Sequence, residues 1–230
     1  MGISPRLVAS AFQASVPVIL GYFPLGFAFG LLFVEHVGLP WGYALAMSLI
    51  VFAGASQFLA VGLLAAGASV VEISVATFIL NARHAFFGLS VLERWRGAGA
   101  KKFFLIYWLT AETYALITSL KAPPDTRETD FHLLISGINY STWCIGSAAG
   151  ALAGEAMSFD TTGMDFALTA LFAVLLVEQM RQVREPFPFV LAFLAGVTTI
   201  VAFGGANMLL ISISVSLVLL VANGARRGWA

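Results

Sequence analysis

The feature that most constrains this chain is the recurrence, along its whole length, of apolar runs long enough to cross a bilayer, which takes about 20 residues in a helix. Read between charges and turn residues, eight such segments stand at approximately 11–34, 42–66, 70–92, 103–120, 131–154, 164–180, 187–203 and 205–223. They leave only short connections and no room for a separate soluble domain. Of the 230 residues, 60% are hydrophobic and 10% charged, against roughly 25% charged in an ordinary soluble domain. The runs are continuously apolar, whereas barrel strands alternate over about 10 residues. The expected fold is therefore an all-α integral membrane protein of seven to eight helical segments.

Charge and cysteine narrow the function classes. Twelve basic and twelve acidic residues cancel, so no basic surface suggests nucleic acid as a partner. The single cysteine, Cys144, lies in an apolar segment; it excludes an internal disulfide and a multi-cysteine metal site and reads as a small buried hydrophobe. Nothing implies a cofactor or a metal. The opening "MGISPRLVASAFQASVPVILGYFPLGFAFGLLF" lacks the short apolar core and cleavage site of a secretory leader and is read as part of the mature protein.

Position of charge gives an orientation. Arg94, Arg96, Lys101 and Lys102 share one connection, Arg181 and Arg184 another, and Arg226 and Arg227 follow the last segment. By the positive-inside rule all three are cytoplasmic, with both termini on that side. The stretch "KAPPDTRETD" at 121–130 is mixed in charge, and 155–165 holds Glu155, Asp160 and Asp165 without a base; both are expected outside. Eight full crossings cannot satisfy this arrangement, because three segments separate Arg6 from the Arg94 group and three separate Lys102 from Arg181. One segment of each trio must enter and return, or be split.

The first and fifth segments are the expected broken or re-entrant ones, since they hold the glycine and proline interruptions and resemble one another. A shift of 120 places "TWCIGSAAG" (142–150) on "YFPLGFAFG" (22–30) and also pairs Glu35 with Glu155 and Phe52 with Phe172. This suggests one compact membrane domain of two repeats, 1–120 and 121–230, of inverted topology, the device that builds two alternately accessible states around a midplane site. Gly146, Gly150 and Gly154 form a ladder of small residues that permits close helix approach.

Polar side chains at bilayer depth are costly and are usually paired or hydrated. In "FILNARHAFFGLS" (78–90), helical spacing sets Ser74, Thr77, Asn81, His84 and Gly88 on one face, either as interhelical glue or as the wall of a wet pathway. Arg83 points away from that face, and Glu112 in "YWLTAETYAL" is the natural counter-charge for Arg83 or His84. In "VFAGASQFLA" (51–60), Gly54, Ala55 and Ser56 interrupt a bulky helix and Gln57 offers donors and acceptors. An unwound turn there would expose half-helix amides suited to a carboxylate; a close helix crossing is the alternative. Asp165 and Thr169 open the sixth segment, with Asp165 either a helix cap or a functional acid. Asn139 and Tyr140 sit within the fifth segment, and Ser212, Ser214 and Ser216 receive no role.

Together, "LGYFPLGFAFG", "MSLIVFAGASQFLAVGLL", "FILNARHAFFGLS", "AETYAL" and "GMDFALTALFAVLLVEQ" make the chain resemble the large subunit of the AzlC-type branched-chain amino acid exporters. The resemblance covers most of the chain, and "VFAGASQF" followed by "NARH" is its most specific part. It implies export of leucine, isoleucine and valine, with methionine a further candidate, across the bacterial inner membrane. It also implies a small membrane subunit of the AzlD type as partner. Ala111 stands where an acidic residue would be expected before the glutamate, leaving Glu112 as the one carboxylate there.

The combined expectation is a secondary transporter exporting apolar amino acids by ion or proton exchange, without covalent chemistry. The amides of Gly54, Ala55, Ser56 and Gln57 with Arg83 would take the substrate carboxylate, Glu112 with carbonyls or Asn81 the ammonium, and Tyr22, Phe58 and Phe86 the apolar side chain. His84, Glu112 and Asp165 are the coupling candidates. A channel or assembly subunit, in a complex or an oligomer, is one rival reading. An intramembrane hydrolase using Ser56 and His84 is another, weakened because Gln57 stands where such a signature wants glycine.

Overall fold

A computed structural model gives the architecture and describes residues 4–157, 185–203 and 208–226, with single positions between 166 and 181. The described residues form helices and no strand: α1 (Pro5–Val37), α2 (Trp41–Ile50), α3 (Gly54–Ala65), α4 (Val70–Val91), α5 (Lys101–Tyr107), α6 (Ala111–Ser119), α7 (Glu128–Ala156), α8 (Phe187–Phe203) and α9 (Met208–Arg226). Two of them, α1 and α4, are long and apolar enough to cross a bilayer. Large apolar side chains such as Leu20, Ile50, Phe78 and Val201 are open on the surface, which suits a lipid solvent and would be costly in water. The chain divides into two compact units, residues 1–67 with 80–167, and 68–79 with 168–230. In the second, α8 and α9 pack together, with the Ser212 hydroxyl 3.4 Å from the Ala195 carbonyl.

The first unit is built on α1 and α7. Ser4 caps α1 by accepting from the Leu7 amide, Pro5 occupies its first turn, and Gly38 ends it in the left-handed conformation at φ 71°. Glu128 and Asp130 lie in the first turn of α7, where carboxylates complement the helix dipole. A Cβ on Gly26 would stand 2.8 Å from the Trp143 carbonyl oxygen, and one on Gly146 2.7 Å from that of Phe23. At Gly30 against Ser147, and Gly150 against Phe27, the backbones approach still more closely. Each contact maps onto its reciprocal by the same shift of 120, from Gly26 to Gly146 and Phe23 to Trp143. The pair therefore carries a local twofold relation, and because contacts ascend together along both helices, α1 and α7 run parallel.

This overturns two expectations. The first and fifth segments are neither broken nor re-entrant: α1 is one helix of 33 residues through Pro17 and Pro24, and α7 one of 29. Nor are these lead helices inverted, since a parallel pair has its twofold axis along the helices and not across them.

The interruptions fall in the second and fourth segments. Trp41 at the start of α2 bonds through its amide to Glu155 at the end of α7, whereas Leu49 near the end of α2 reaches Tyr140, halfway along α7. After Val51–Ala53, with Phe52 at φ 39°, α3 turns back, and Phe58 packs on Phe29. The Gln57 side chain reaches Ser48 at 2.9 Å; on a continued helix those residues would be about 13 Å apart along the axis. Segment α2–α3 is thus a helical hairpin.

A second hairpin, α5–α6, enters from the other end. Lys101 pairs with Asp130, Tyr107 reaches the Ile50 carbonyl at 2.8 Å, and Thr110 caps α6. Ile117 then returns to the starting end, where its carbonyl accepts from Arg94 at 3.1 Å. Leu7, Trp95, Leu105, Ile117, Phe131 and Ile135 close that end in one apolar cluster. The start of α7 therefore lies beside the Arg94–Lys102 connection, through Arg94–Glu128 and Lys101–Asp130, and not at the opposite end as its mixed charge suggested.

Substituting Gly30 by Ala should cost about 3 kcal/mol or more, at the upper end of core overpacking, because backbone and not a flexible side chain opposes it. Gly21, with open space around its Cβ direction, should tolerate Ala and gain about 0.5–1 kcal/mol of helix stability. Thermal unfolding in detergent compares the two.

Candidate functional site

The two hairpins bring the start of α3 against Trp143, halfway along α7, and the start of α6 against Tyr22, whose ring meets that of Trp143. No side chain caps α3, whose preceding residue Ala53 is at φ −144° and ψ 89°. The first amide bonded there is that of Gln57, to the Ala53 carbonyl at 2.9 Å. Among the described residues the amides of Gly54, Ala55 and Ser56 have no acceptor. Gly54 is required by the close approach of the Trp143 ring, 2.8 Å from where a Cβ would stand. The break expected at "GAS" lies in the three residues before it, Val51–Ala53, so that Gly54, Ala55 and Ser56 form the first turn of α3, a half-helix N-terminus suited to anions.

Ser56 and Gln57 are fully buried. The Ser56 hydroxyl donates to Asn81 Oδ1 at 2.7 Å, joining α3 to the polar face of α4. Gln57 is consumed structurally: its Oε1 accepts from Trp143 Nε1 at 2.9 Å and its Nε2 donates to Ser48 at 2.9 Å. Phe58 packs edge-on against Phe29 with ring centres 5.9 Å apart, within the core.

On the α6 side, Tyr22 donates to Glu112 Oε2 at 2.6 Å and lies 2.8 Å from the Thr110 hydroxyl. Thr110 bonds Thr113, which accepts from Asn139 at 3.0 Å. The Tyr22 and Trp143 rings meet edge to face at 5.4 Å, so Glu112, Tyr22, Trp143 and the start of α3 form one continuous group. Glu112 thus has a neutral hydrogen-bond donor in Tyr22. His84 Nδ1 lies 3.2 Å from the Asn81 carbonyl, and its ring stands edge-on to Phe87. The side chains of Arg83 and Phe86, and Asp165 as a whole, lie outside the described residues.

The hydrogen bond of the Ser56 hydroxyl is to Asn81 Oδ1, while His84 Nδ1 lies beside the Asn81 carbonyl. A separate apolar groove of about 530 Å³, lined by Phe12, Ile19, Trp108, Gly137 and Ile145 among others, touches none of Ser56, Asn81 or Glu112. Cys144 is buried as expected.

The chain matches the family model described as AzlC protein over residues 17–157. The chain belongs to the AzlC family. Among its relatives, an uncharacterized membrane protein of Helicobacter pylori is 37% identical over 203 residues, covering 88% of this chain and 89% of the relative. The branched-chain amino acid transport protein AzlC of Bacillus subtilis is 30% identical over 201 residues, 87% of this chain and 79% of that one. The inner membrane protein YgaZ of Escherichia coli is 29% identical, with 80% and 78% covered. No solved structure matches the chain.

The AzlC match spans α1 to α7, which holds every contact of the site. Of the residues the sequence singles out, Tyr22 bonds Glu112 and Ser56 bonds Asn81. Sequence reasoning missed Trp143, Thr110 and Thr113: an aromatic residue and two threonines in apolar runs look like packing. A usable signal for Thr110 was its place two residues before Glu112, where a helix cap precedes an acidic first turn.

Gln57→Leu should strand the Trp143 indole N–H and the Ser48 hydroxyl, costing about 1–3 kcal/mol for each buried group left unpaired. A double-mutant cycle with Trp143→Phe, read by thermal unfolding, should give a coupling of about 1 kcal/mol or more; additive losses would mean the contact contributes nothing specific.

Proposed function

We propose that this AzlC-family protein is a secondary transporter that exports branched-chain amino acids across the bacterial inner membrane. The observation that carries the reading is the pair of interrupted segments, with the uncapped start of α3 bonded to Asn81 through Ser56 and joined to the Tyr22–Glu112 pair through the Trp143 ring. Discontinuous helices with half-helix N-termini at the midplane are how transporters hold a substrate carboxylate. The printed name of the Bacillus subtilis relative supports the substrate class.

In this proposal the amides of Gly54, Ala55 and Ser56, with Arg83, take the carboxylate. Glu112 and Asn81 take the ammonium, with Tyr22, Phe58 and Phe86 around the apolar side chain. Gln57 holds the geometry and does not contact substrate. His84 and Glu112 are the coupling pair for proton exchange, with Asp165 the further acidic candidate, and a small AzlD-type membrane subunit is the partner.

The topology that accompanies it has six crossings and two re-entrant hairpins. The first unit supports the start of this path: α1 outward, α2–α3 re-entering from outside, α4 inward, α5–α6 re-entering from inside and α7 outward. The sixth, seventh and eighth segments then carry Arg181 and the C-terminus to the cytoplasm, by the basic residues that flank them. Residues 1–120 and 121–230 are the two repeats, led by the parallel helices α1 and α7.

Proteoliposomes loaded with leucine test the function. Because Glu112 also takes the ammonium, Glu112→Gln should abolish pH-driven transport and lower leucine exchange by more than about tenfold, a loss above about 1.4 kcal/mol, whereas His84→Ala should remove the pH dependence and leave exchange within about tenfold. Wild-type pH dependence in both Glu112→Gln and His84→Ala removes them from coupling. Cysteines placed at Leu39 and Pro124, in a Cys144→Ala background, should label from opposite faces of the membrane, and labelling of both from one face rejects the topology.

A further inference from the structure

The tips of the two hairpins meet on one side chain. The last carbonyls of a helix have no partner within it, and at bilayer depth no bulk water can supply one. Those of Leu49 and Ile50, at the end of α2, receive hydroxyls from outside their own hairpin. Tyr140 of α7 donates to the Leu49 carbonyl at 3.0 Å. Tyr107, at the tip of α5, reaches the same carbonyl and that of Ile50, the latter at 2.8 Å.

The Tyr140 ring is the centre of the arrangement. Phe52, from the turn of the first hairpin, stands edge-on to it with centres 4.8 Å apart. Trp108, from the turn of the second, stacks on it at 5.1 Å and 28°, and Tyr107 is tilted against it at 6.2 Å. Phe52 holds a positive φ of 39°, a conformation that a bulky side chain keeps only where its surroundings impose it. Here they do, because the residue is buried against Tyr140.

We propose that Tyr140 is the positioning residue on which both hairpin tips turn, and that the Tyr107 contact with the α2 carbonyls is made and broken once in each transport cycle. This rests on the transport reading and deepens it. Tyr140 belongs to the glycine-locked helix and stays. Tyr107 belongs to the hairpin whose other end closes the first unit through Leu105 and Ile117. When that hairpin withdraws, the Leu49 and Ile50 carbonyls keep one donor of two, the Val51–Ala53 turn relaxes, and the three free amides of α3 change their aim. Opening at one end is thereby tied to the state of the site.

The test uses purified full-length protein in a Cys144→Ala background, with spin labels at Ile50 and Phe103, both open on the surface. Two distance populations are expected, shifting with leucine, with Tyr107→Phe favouring the longer one. In proteoliposomes Tyr140→Phe should raise the leucine KM about fivefold with Vmax within about twofold, and Tyr107→Phe should change Vmax and not KM. A merely structural role would lower the folded fraction and leave these ratios alone. One distance, unmoved by leucine and by Tyr107→Phe, overturns the pivot. If the wild type carries no leucine, the transport reading fails by itself, and the distances in the unliganded wild type and Tyr107→Phe proteins still decide whether the tips separate.

Discussion

The structure depends on backbone meeting backbone where α1 crosses α7. In lipid there is little hydrophobic gain in bringing two helices together, so association relies on close packing. Gly26, Gly30, Gly146 and Gly150 remove the side chains that would hold these helices apart. Because the contacts are reciprocal under a single shift, a change that opened one crossing point would open its counterpart. The parallel pair is therefore a stiff axis. Both hairpins are described by where they touch it: Leu49 and Gly54 against Tyr140 and Trp143, and Thr113 against Asn139.

A stiff axis makes interrupted segments tolerable. Breaking a helix at bilayer depth frees amides and carbonyls that only protein, water or ligand can satisfy. The molecule answers most of them with side chains from the axis or the opposite hairpin: Tyr140 and Tyr107 for the end of α2, and Thr110 for the start of α6. The start of α3 has no side-chain cap: the Gly54, Ala55 and Ser56 amides have no acceptor among the described residues, with the Ser56 hydroxyl bonded to Asn81 and the Trp143 ring against Gly54.

Much of this was legible beforehand, and the misreadings have physical causes. The break before Gly54 was visible because glycine, alanine and serine interrupt a bulky run. That at Trp108–Thr110 was not, because tryptophan, leucine and threonine carry no turn signal. The glycines of α1 and α7 that a shift of 120 pairs read as breaks in the sequence, whereas both helices run through them. In water a glycine weakens a helix, but between two membrane helices it lets them touch, and Pro17 and Pro24 are absorbed within α1. The 121–130 connection was placed outside because its acids were weighed against its bases. Acidic residues count for little in orientation, and here Glu128 and Asp130 neutralise Arg94 and Lys101 from the neighbouring connection.

The parallel axis also bears on how two access states could arise. In an inverted repeat the symmetry itself generates the second state, because exchanging the conformations of the halves turns inward into outward. A twofold axis along α1 and α7 cannot do this, since it leaves the two membrane faces distinct. The element here that distinguishes the ends yet relates them is the pair of hairpins, entering from opposite ends and touching at Tyr140. In the transport reading proposed above, with the axis locked by glycine, the parts left to alternate are α2–α3 and α5–α6. Each is short, each has an apolar outer surface, and each is held at its tip by hydrogen bonds from tyrosines and not by buried backbone. Alternation of two tips about a fixed helix pair needs no rocking of domains, and it places the changing contacts where the unmet amides of α3 already are.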